Sequence, residues 1–134
     1  MDLKNLDLNH LANKGSIMEL LHPTDNEVLT DDSKAKKPFF FRLLGSDSDV
    51  YRKALQRQLD ASSKNKNKGK VDLEDAERKL SERCAKCVTE CYLIEDGKQV
   101  ECNYDEMVRI FLKYPWIREQ VDRHITDRSA LMNG

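Results

Sequence analysis

Apolar residues in the first third of the chain come in short runs rather than at helical spacing. Leu3, Leu6, Leu8 and Leu11 lie in a segment too brief to separate helix from extended arm. Ile17, Met18, Leu20 and Leu21 read as a strand. His22-Pro23-Thr24-Asp25-Asn26 follows with turn chemistry, since proline presets φ while Asp and Asn tolerate the left-handed region. Glu27-Val28-Leu29-Thr30 can return as a second strand, and the polar stretch 31–37 reads as a loop. Phe39-Phe40-Phe41-Arg42-Leu43-Leu44 is the strongest strand signal, because aromatic side chains suit a pleated, half-buried surface. Residues 16–44 therefore predict a small antiparallel meander.

At Gly45 the period changes. Ser46, Asp47 and Ser48 each offer a capping oxygen, and Val50, Ala54, Leu55 and Leu59 follow at helical spacing, predicting a helix over 47–61. The stretch 62–70, SSKNKNKGK, has no apolar residue to offset the entropy of ordering and predicts a flexible basic loop. Asp72 then opens a helix with Glu74, Asp75 and Glu77 near its positive end. The apolar stripe Leu73, Ala76, Leu80, Cys84, Cys87, Cys91 covers 18 residues in five steps, the α-helical period of about 3.6. Glu95-Asp96-Gly97-Lys98 reads as a tight turn in a small hairpin or loop. Asn103, with Glu106 three residues on, caps a helix carrying Met107, Val108, Phe111 and Leu112. Tyr114-Pro115 ends that helix and starts a last one, striped by Trp116, Ile117, Val121 and Ile125. The expectation is a single α+β domain over 1–134: a meander, then about four helices, with 71–131 the helical part. Core candidates are Phe39, Phe41, Leu43, Leu80, Cys84, Cys87, Phe111 and Ile117.

Charge adds a polarity to this outline. Charged residues are 35% of the 134, against a norm of roughly 25%. The net charge of −1 conceals a +4 segment at 47–70 and a −4 segment at 71–134, a distribution that can orient a partner. No apolar run approaches the roughly 20 residues that span a bilayer, and the N-terminus has no signal-peptide core, so a membrane or secreted protein is not expected. Four cysteines then read as thiols of a reducing compartment.

Candidate chemistry is sparse. Cys84, Cys87, Cys91 and Cys102 have the composition of a zinc site. On one straight helix, however, Cys84 and Cys91 would stand about 10.5 Å apart along the axis, whereas sulfurs sharing a zinc lie about 4 Å apart. Core packing of the stripe is the preferred reading, and a zinc-dependent adaptor the alternative. Lys64, Lys66, Lys68 and Lys70 carry no interleaved aromatic, so a solvated loop is preferred to a nucleic-acid contact. His10, His22 and His124 fall in different elements, no phosphate-binding glycine loop is present, and Asp47 and Asp49 read as helix-start residues. No enzymatic constellation and no cofactor are expected. In a strand Phe40 must face away from Phe39 and Phe41, so one side fills the core and the other is expected to lie under the C-terminal helices. Trp116, Ile117 and Val121, following the helix break, are the candidate partner-binding residues.

The order LLHPTDNEVL, aromatic strand, LLGSDSDVYRKALQRQ resembles the tail assembly chaperones of long-tailed, siphovirus-like bacteriophages. The later phrase RCAKCVTECYLIEDGKQVECNYDEMVRIFLKYPWIREQVDRHITDRSAL resembles them too, and together the likeness spans about 16–131. It implies a non-enzymatic helper in the host bacterial cytoplasm that binds the phage tape-measure protein and keeps this long helical chain soluble while tail tube protein assembles around it. Such a helper is absent from the finished virion, and members are often made in two lengths by frameshifting. The family supplies no residue-level binding motif to carry over. The alternative is a structural tail or head–tail joining protein of the virion. Neither nucleic acid nor membrane is an expected partner.

Overall fold

The computed structural model describes residues 1–64 and 72–133. A 3-10 turn at Leu3–Leu6 leads into α1 (Leu8–Lys14), which Asp7 caps by accepting from the His10 amide. The chain then forms β1 (Ser16–Glu19), β2 (Phe40–Leu43), α2 (Asp49–Lys64), α3 (Leu73–Lys86), β3 (Val88–Tyr92) and the two-residue strands β4 (Ile94–Glu95) and β5 (Lys98–Gln99). Three helices finish it: α4 (Tyr104–Lys113), α5 (Pro115–Thr126) and α6 (Arg128–Asn133). The fold is mixed α+β, with a three-stranded antiparallel sheet ordered β1-β2-β3.

The expected meander is reduced to its two outer strands. Segment 27–30 makes only isolated bridges, Leu21 with Val28 and Thr30 with Pro38, while β1 pairs directly with β2 from Ser16↔Leu43 to Glu19↔Phe40. Leu29 is wedged where the two strands part: its amide donates to the Leu20 carbonyl, and its own carbonyl accepts from Phe39. The turn before it forms as its residues predict, with His22 Nδ1 accepting from the Thr24 and Asp25 amides and Asn26 at a φ of 57°. Asp31 organises the following loop, accepting from the Ser33 and Lys37 amides and from the Tyr92 hydroxyl.

The third strand of the sheet is the main departure from the expected order. Cys87 ends α3 instead of continuing it, and Cys91 lies in β3, paired with Phe41. The helical stripe stops one cysteine early because the open edge of β2 offers residues 88–92 a ladder, and Val88, Thr89 and Tyr92 suit a pleated surface. A periodicity of 3.6 maintained by three cysteines is thus partly coincidental, and 71–131 is not all helical.

Elsewhere the boundaries move less. Ser48 is the working cap of α2, accepting from the Tyr51 amide, and the helix runs past the expected end at residue 61 to Lys64. Lys79 Nζ of α3 donates to Ser62 in this extension, and earlier in α2 Gln58 donates to the Lys79 carbonyl and accepts from Arg83. The remainder of the expected basic loop, 65–70, lies outside the described residues. Asp72 and Asn103 cap α3 and α4 as their positions predict. Asp96 and Gly97, at φ values of 52° and 76°, make the two-residue turn of the β4–β5 hairpin.

The helices cover one face of the sheet. Phe41 and Leu43 point into a core with Leu20, Cys84, Cys87, Met107, Ile110, Phe111, Val121 and Ile125. The Phe41 and Phe111 rings meet at 5.7 Å with a 45° tilt. Of the expected core, Phe39 and Leu80 are only partly buried against this cluster. Among the described residues no helix covers the opposite face, contrary to expectation, and Ile17 there is 56% exposed, with Phe40 half-buried. No helix among the described residues is long and apolar enough to cross a membrane.

Gly15 joins α1 to β1 at φ 77° and ψ 175°, a region essentially reserved for glycine. A Cβ there would also stand 2.7 Å from the Leu43 carbonyl oxygen. Gly15→Ala is expected to cost about 1–3 kcal/mol of stability, read as a lower urea midpoint with an unchanged m-value.

Candidate functional site

The Tyr114-Pro115 break borders an apolar concavity of the surface. Pro115 occupies the first turn of α5, where its missing N–H has no partner to lose, and the chain changes direction between α4 and α5. A buried arginine secures the bend: Arg118 Nη1 donates to the Phe111 carbonyl in the last turn of α4 at 3.3 Å and lies 3.5 Å from Ser81 Oγ of α3. Its Nε has no partner among the described residues. Trp116 is left half-buried at the corner, with the Tyr114 ring edge-on at 6.4 Å.

Around Trp116 lies an apolar groove of about 300 Å³. The N-terminal third supplies Leu20, Leu29 and Phe39, the β4–β5 hairpin and its flanks supply Leu93, Ile94 and Val100, and the helices supply Ile110, Tyr114 and Ile117. Leu93 and Val100 are brought together by the bond from the Val100 amide to the Leu93 carbonyl.

Two carboxylates sit on the rim, Asp96, exposed in the hairpin turn, and Glu95, whose demands are met within the chain. Glu95 lies 2.8 Å from Arg109 Nη2 and 3.1 Å from Lys113 Nζ, and it accepts from the Tyr114 hydroxyl. Arg109, then Tyr114 and Lys113, hold its pKa down at about 2. The same carboxylate holds the Tyr114 hydroxyl and the Lys113 ammonium above their ordinary values. Glu95 is therefore ionised and occupied, a poor proton acceptor at neutral pH. The groove can take apolar groups from a ligand without leaving the Glu95 charge unpaired.

The residues expected to meet a partner divide. Trp116 and Ile117 line the groove. Val121 does not: it is fully buried in the core, one helical turn beyond Ile117 on the inward stripe, and no partner reaches it. The hairpin and the 20–39 segment contribute walls that no local pattern marks as part of a site.

The four cysteines likewise do not converge. Cys84 and Cys87 are fully buried, where loss of solvation pushes the Cys87 thiol up to about 12 and the Cys84 thiol higher still. Cys91 lies on β3 and has Cys102 as its thiol neighbour. Among the described residues no group of three or more His, Cys, Asp or Glu side chains is placed to hold a metal ion. Cys91 leaves the helix for β3, where Phe41 is its partner across the ladder. His124 hydrogen-bonds to Ser16 Oγ at 2.7 Å, with burial lowering its pKa, and His22 shapes its own turn. Asp47 forms a two-pronged pair with Arg128 at 2.7 and 2.9 Å, and Asp49 accepts from Asn9. Lys66, Lys68 and Lys70 lie outside the described residues.

The Glu95 cluster has a pH signature. A carboxylate whose folded pKa is lowered from 4.5 to about 2 contributes stability above about pH 4.5, and that contribution disappears as pH falls through 2. Glu95→Gln is expected to lower the melting temperature at neutral pH and to flatten its decline between pH 5 and pH 2, as followed by circular dichroism. An unchanged acid slope would place the carboxylate outside the folding balance. Comparison of the chain with protein-family models, curated proteins and solved structures returns no match.

Proposed function

We propose that this protein works by binding: a phage tail assembly chaperone that takes apolar side chains of the tape-measure protein into the Trp116 groove. The observation that carries the reading is an open apolar groove whose half-buried rim carboxylate, Glu95, is already neutralised by the chain's own arginine, lysine and tyrosine. A volume of about 300 Å³ is at the small end for ligand pockets and suits one or two anchoring side chains rather than an entire helix. Small anchors favour reversible capture, which a helper that departs before virion completion requires. Complementary charge supplies the rest: the +4 and −4 segments of the chain can steer and align a charged helical partner without deep burial. Tail tube protein is a second partner on this reading, and the host bacterial cytoplasm is the compartment, in keeping with four unpaired thiols.

Co-expression tests the assignment. The tape-measure protein is expected to stay soluble and to co-purify with this chain, and no gain in solubility with no complex overturns the proposal. Mass spectrometry of purified virions is expected to lack this chain, and its presence at structural copy number would favour the virion-component alternative. Trp116→Ala is expected to weaken capture by about 2 kcal/mol, as a central aromatic anchor does. Its circular dichroism spectrum should remain that of the parent.

A further inference from the structure

The outer edge of β1 presents open backbone groups. Strand order β1-β2-β3 gives β1 a neighbour in the sheet on one side only. The Leu20 amide donates to the Phe39 carbonyl, so Leu20, Met18 and Ser16 turn their peptide groups toward β2. Ile17, Glu19 and Leu21 therefore turn theirs outward. At Leu21 one side chain takes both outward groups: Gln120 Oε1 accepts from the Leu21 amide at 3.0 Å, and Gln120 Nε2 donates to the Leu21 carbonyl at 2.9 Å. A side-chain amide there stands where a further strand would place a peptide group. The outward amides and carbonyls of Ile17 and Glu19 have no such partner among the described residues.

A hollow flanks this edge on each face of the sheet. On the helix side, about 190 Å³ opens between Met18, Leu21, Arg123, His124 and Asp127. On the other side, about 350 Å³ lies beside Ile17, Glu19, Lys37, Pro38 and Phe40. An added strand sends alternate side chains to the two faces, so one extended chain can fill both hollows. Most of the polar groups here are already engaged. Lys37 Nζ lies 4.0 Å over the Tyr92 ring, and Asp127 accepts from the Ser129 amide and hydroxyl. His124 holds Ser16, and burial lowers its pKa, leaving it neutral at pH 7. The exposed Glu19 and Arg123 side chains have no ion-pair partner among the described residues.

We propose that the β1 edge binds an extended peptide segment of a partner protein by antiparallel strand addition, with a basic residue opposite Glu19, an acidic one opposite Met18 and an apolar one opposite Ile17. The antiparallel sense continues that of the sheet. The residues opposite Glu19 and Ile17 each exchange two backbone bonds with the edge and share its outer face. There the basic side chain meets the Glu19 carboxylate, and the apolar one lies against Ile17. The middle residue points to the helix side, into the hollow that holds Arg123. Gln120 closes the site at Leu21, so the segment lies opposite residues 16–20. A second copy of β1 is a poorer occupant. The same register would set Ile17 against Glu19 and Met18 against Met18, leaving Glu19 and Arg123 without opposite charges. The inference does not rest on the Trp116 groove.

The probe is the acetylated, amidated pentapeptide Thr-Lys-Glu-Val-Thr, titrated into the isotope-labelled full chain and followed through the protein's amide resonances. The Ile17 and Glu19 amides are expected to move downfield and to exchange more slowly with solvent, while the Met18 amide, which faces β2, changes little. N-methylation of the peptide's Lys or Val is expected to abolish binding, because those amides donate to the edge. N-methylation of its Glu, whose amide points away, leaves binding intact. Exchanging Lys and Glu within the peptide is expected to weaken binding about tenfold. The double variant Glu19→Lys with Arg123→Glu, changed at two exposed positions, should reverse that preference. No response at Ile17 and Glu19 up to millimolar peptide, or equal tolerance of all three N-methylations, overturns the proposal. Binding without a charge preference overturns the chemistry assigned to the partner. Concentration-dependent dimerisation in sedimentation that moves the same two amides assigns the edge to a second copy and overturns the proposal as well.

Discussion

Three consecutive backbone amides hold the architecture together. Leu44 donates to the Cys87 carbonyl at the end of α3, Gly45 to the Ala12 carbonyl in α1, and Ser46 to the Ile125 carbonyl near the end of α5. One extended tripeptide thus fixes an N-terminal helix, a central helix end and a C-terminal helix relative to β2. Buried amides left without partners would each cost about 1–3 kcal/mol, so the three elements are not free to shift independently. Glycine suits the middle position on packing grounds: a Cβ on Gly45 would stand 3.1 Å from both Ala12 Cβ and Leu131 Cδ1, and the neighbours would have to give by a few tenths of an ångström. Ser48, two residues on and fully buried, then starts α2.

The core follows from that anchorage. With α3 ending at Cys87 beside Leu44, the chain has to turn back along the free edge of β2, and β3 forms there. Phe41 from the sheet then meets Phe111 from α4, and the small cysteine side chains at 84 and 87 fill the space between helix and sheet. The buried Arg118 serves the same end from the opposite side, giving the last turn of α4 a donor where the chain breaks. An aromatic corner and a hairpin are brought face to face as a result, with Leu29 and Phe39 as the third wall. The groove is therefore a consequence of how the core is tied, and its shape depends on elements from three parts of the chain.

Function on this reading is a matter of surfaces more than of reactive groups. Glu95 at the groove is held by internal partners, His22 is engaged in its turn and His124 with Ser16, and the two innermost thiols are sealed.

Much of this was legible residue by residue. The caps at Ser48, Asp72 and Asn103, the Glu95–Lys98 hairpin turn and the Tyr114-Pro115 break are short-range events whose causes lie within four residues, and each forms where its chemistry places it. The break also marked Trp116 and Ile117. Other features depend on distant partners. Residues 88–92 continue a helical stripe by spacing, yet they become a strand because β2, some 50 residues earlier, presents an open edge. Val121 shares its stripe with Ile117, and only the packing of α5 decides that Ile117 borders the groove while Val121 is sealed beneath it. Segment 27–30 has strand composition but loses its place to the direct β1–β2 pairing. Local sequence determined where the chain turns, caps and breaks, since those energies are spent between neighbours. Tertiary structure alone decided which strand edges pair and which apolar residues face outward, since those energies are shared among segments far apart in the chain.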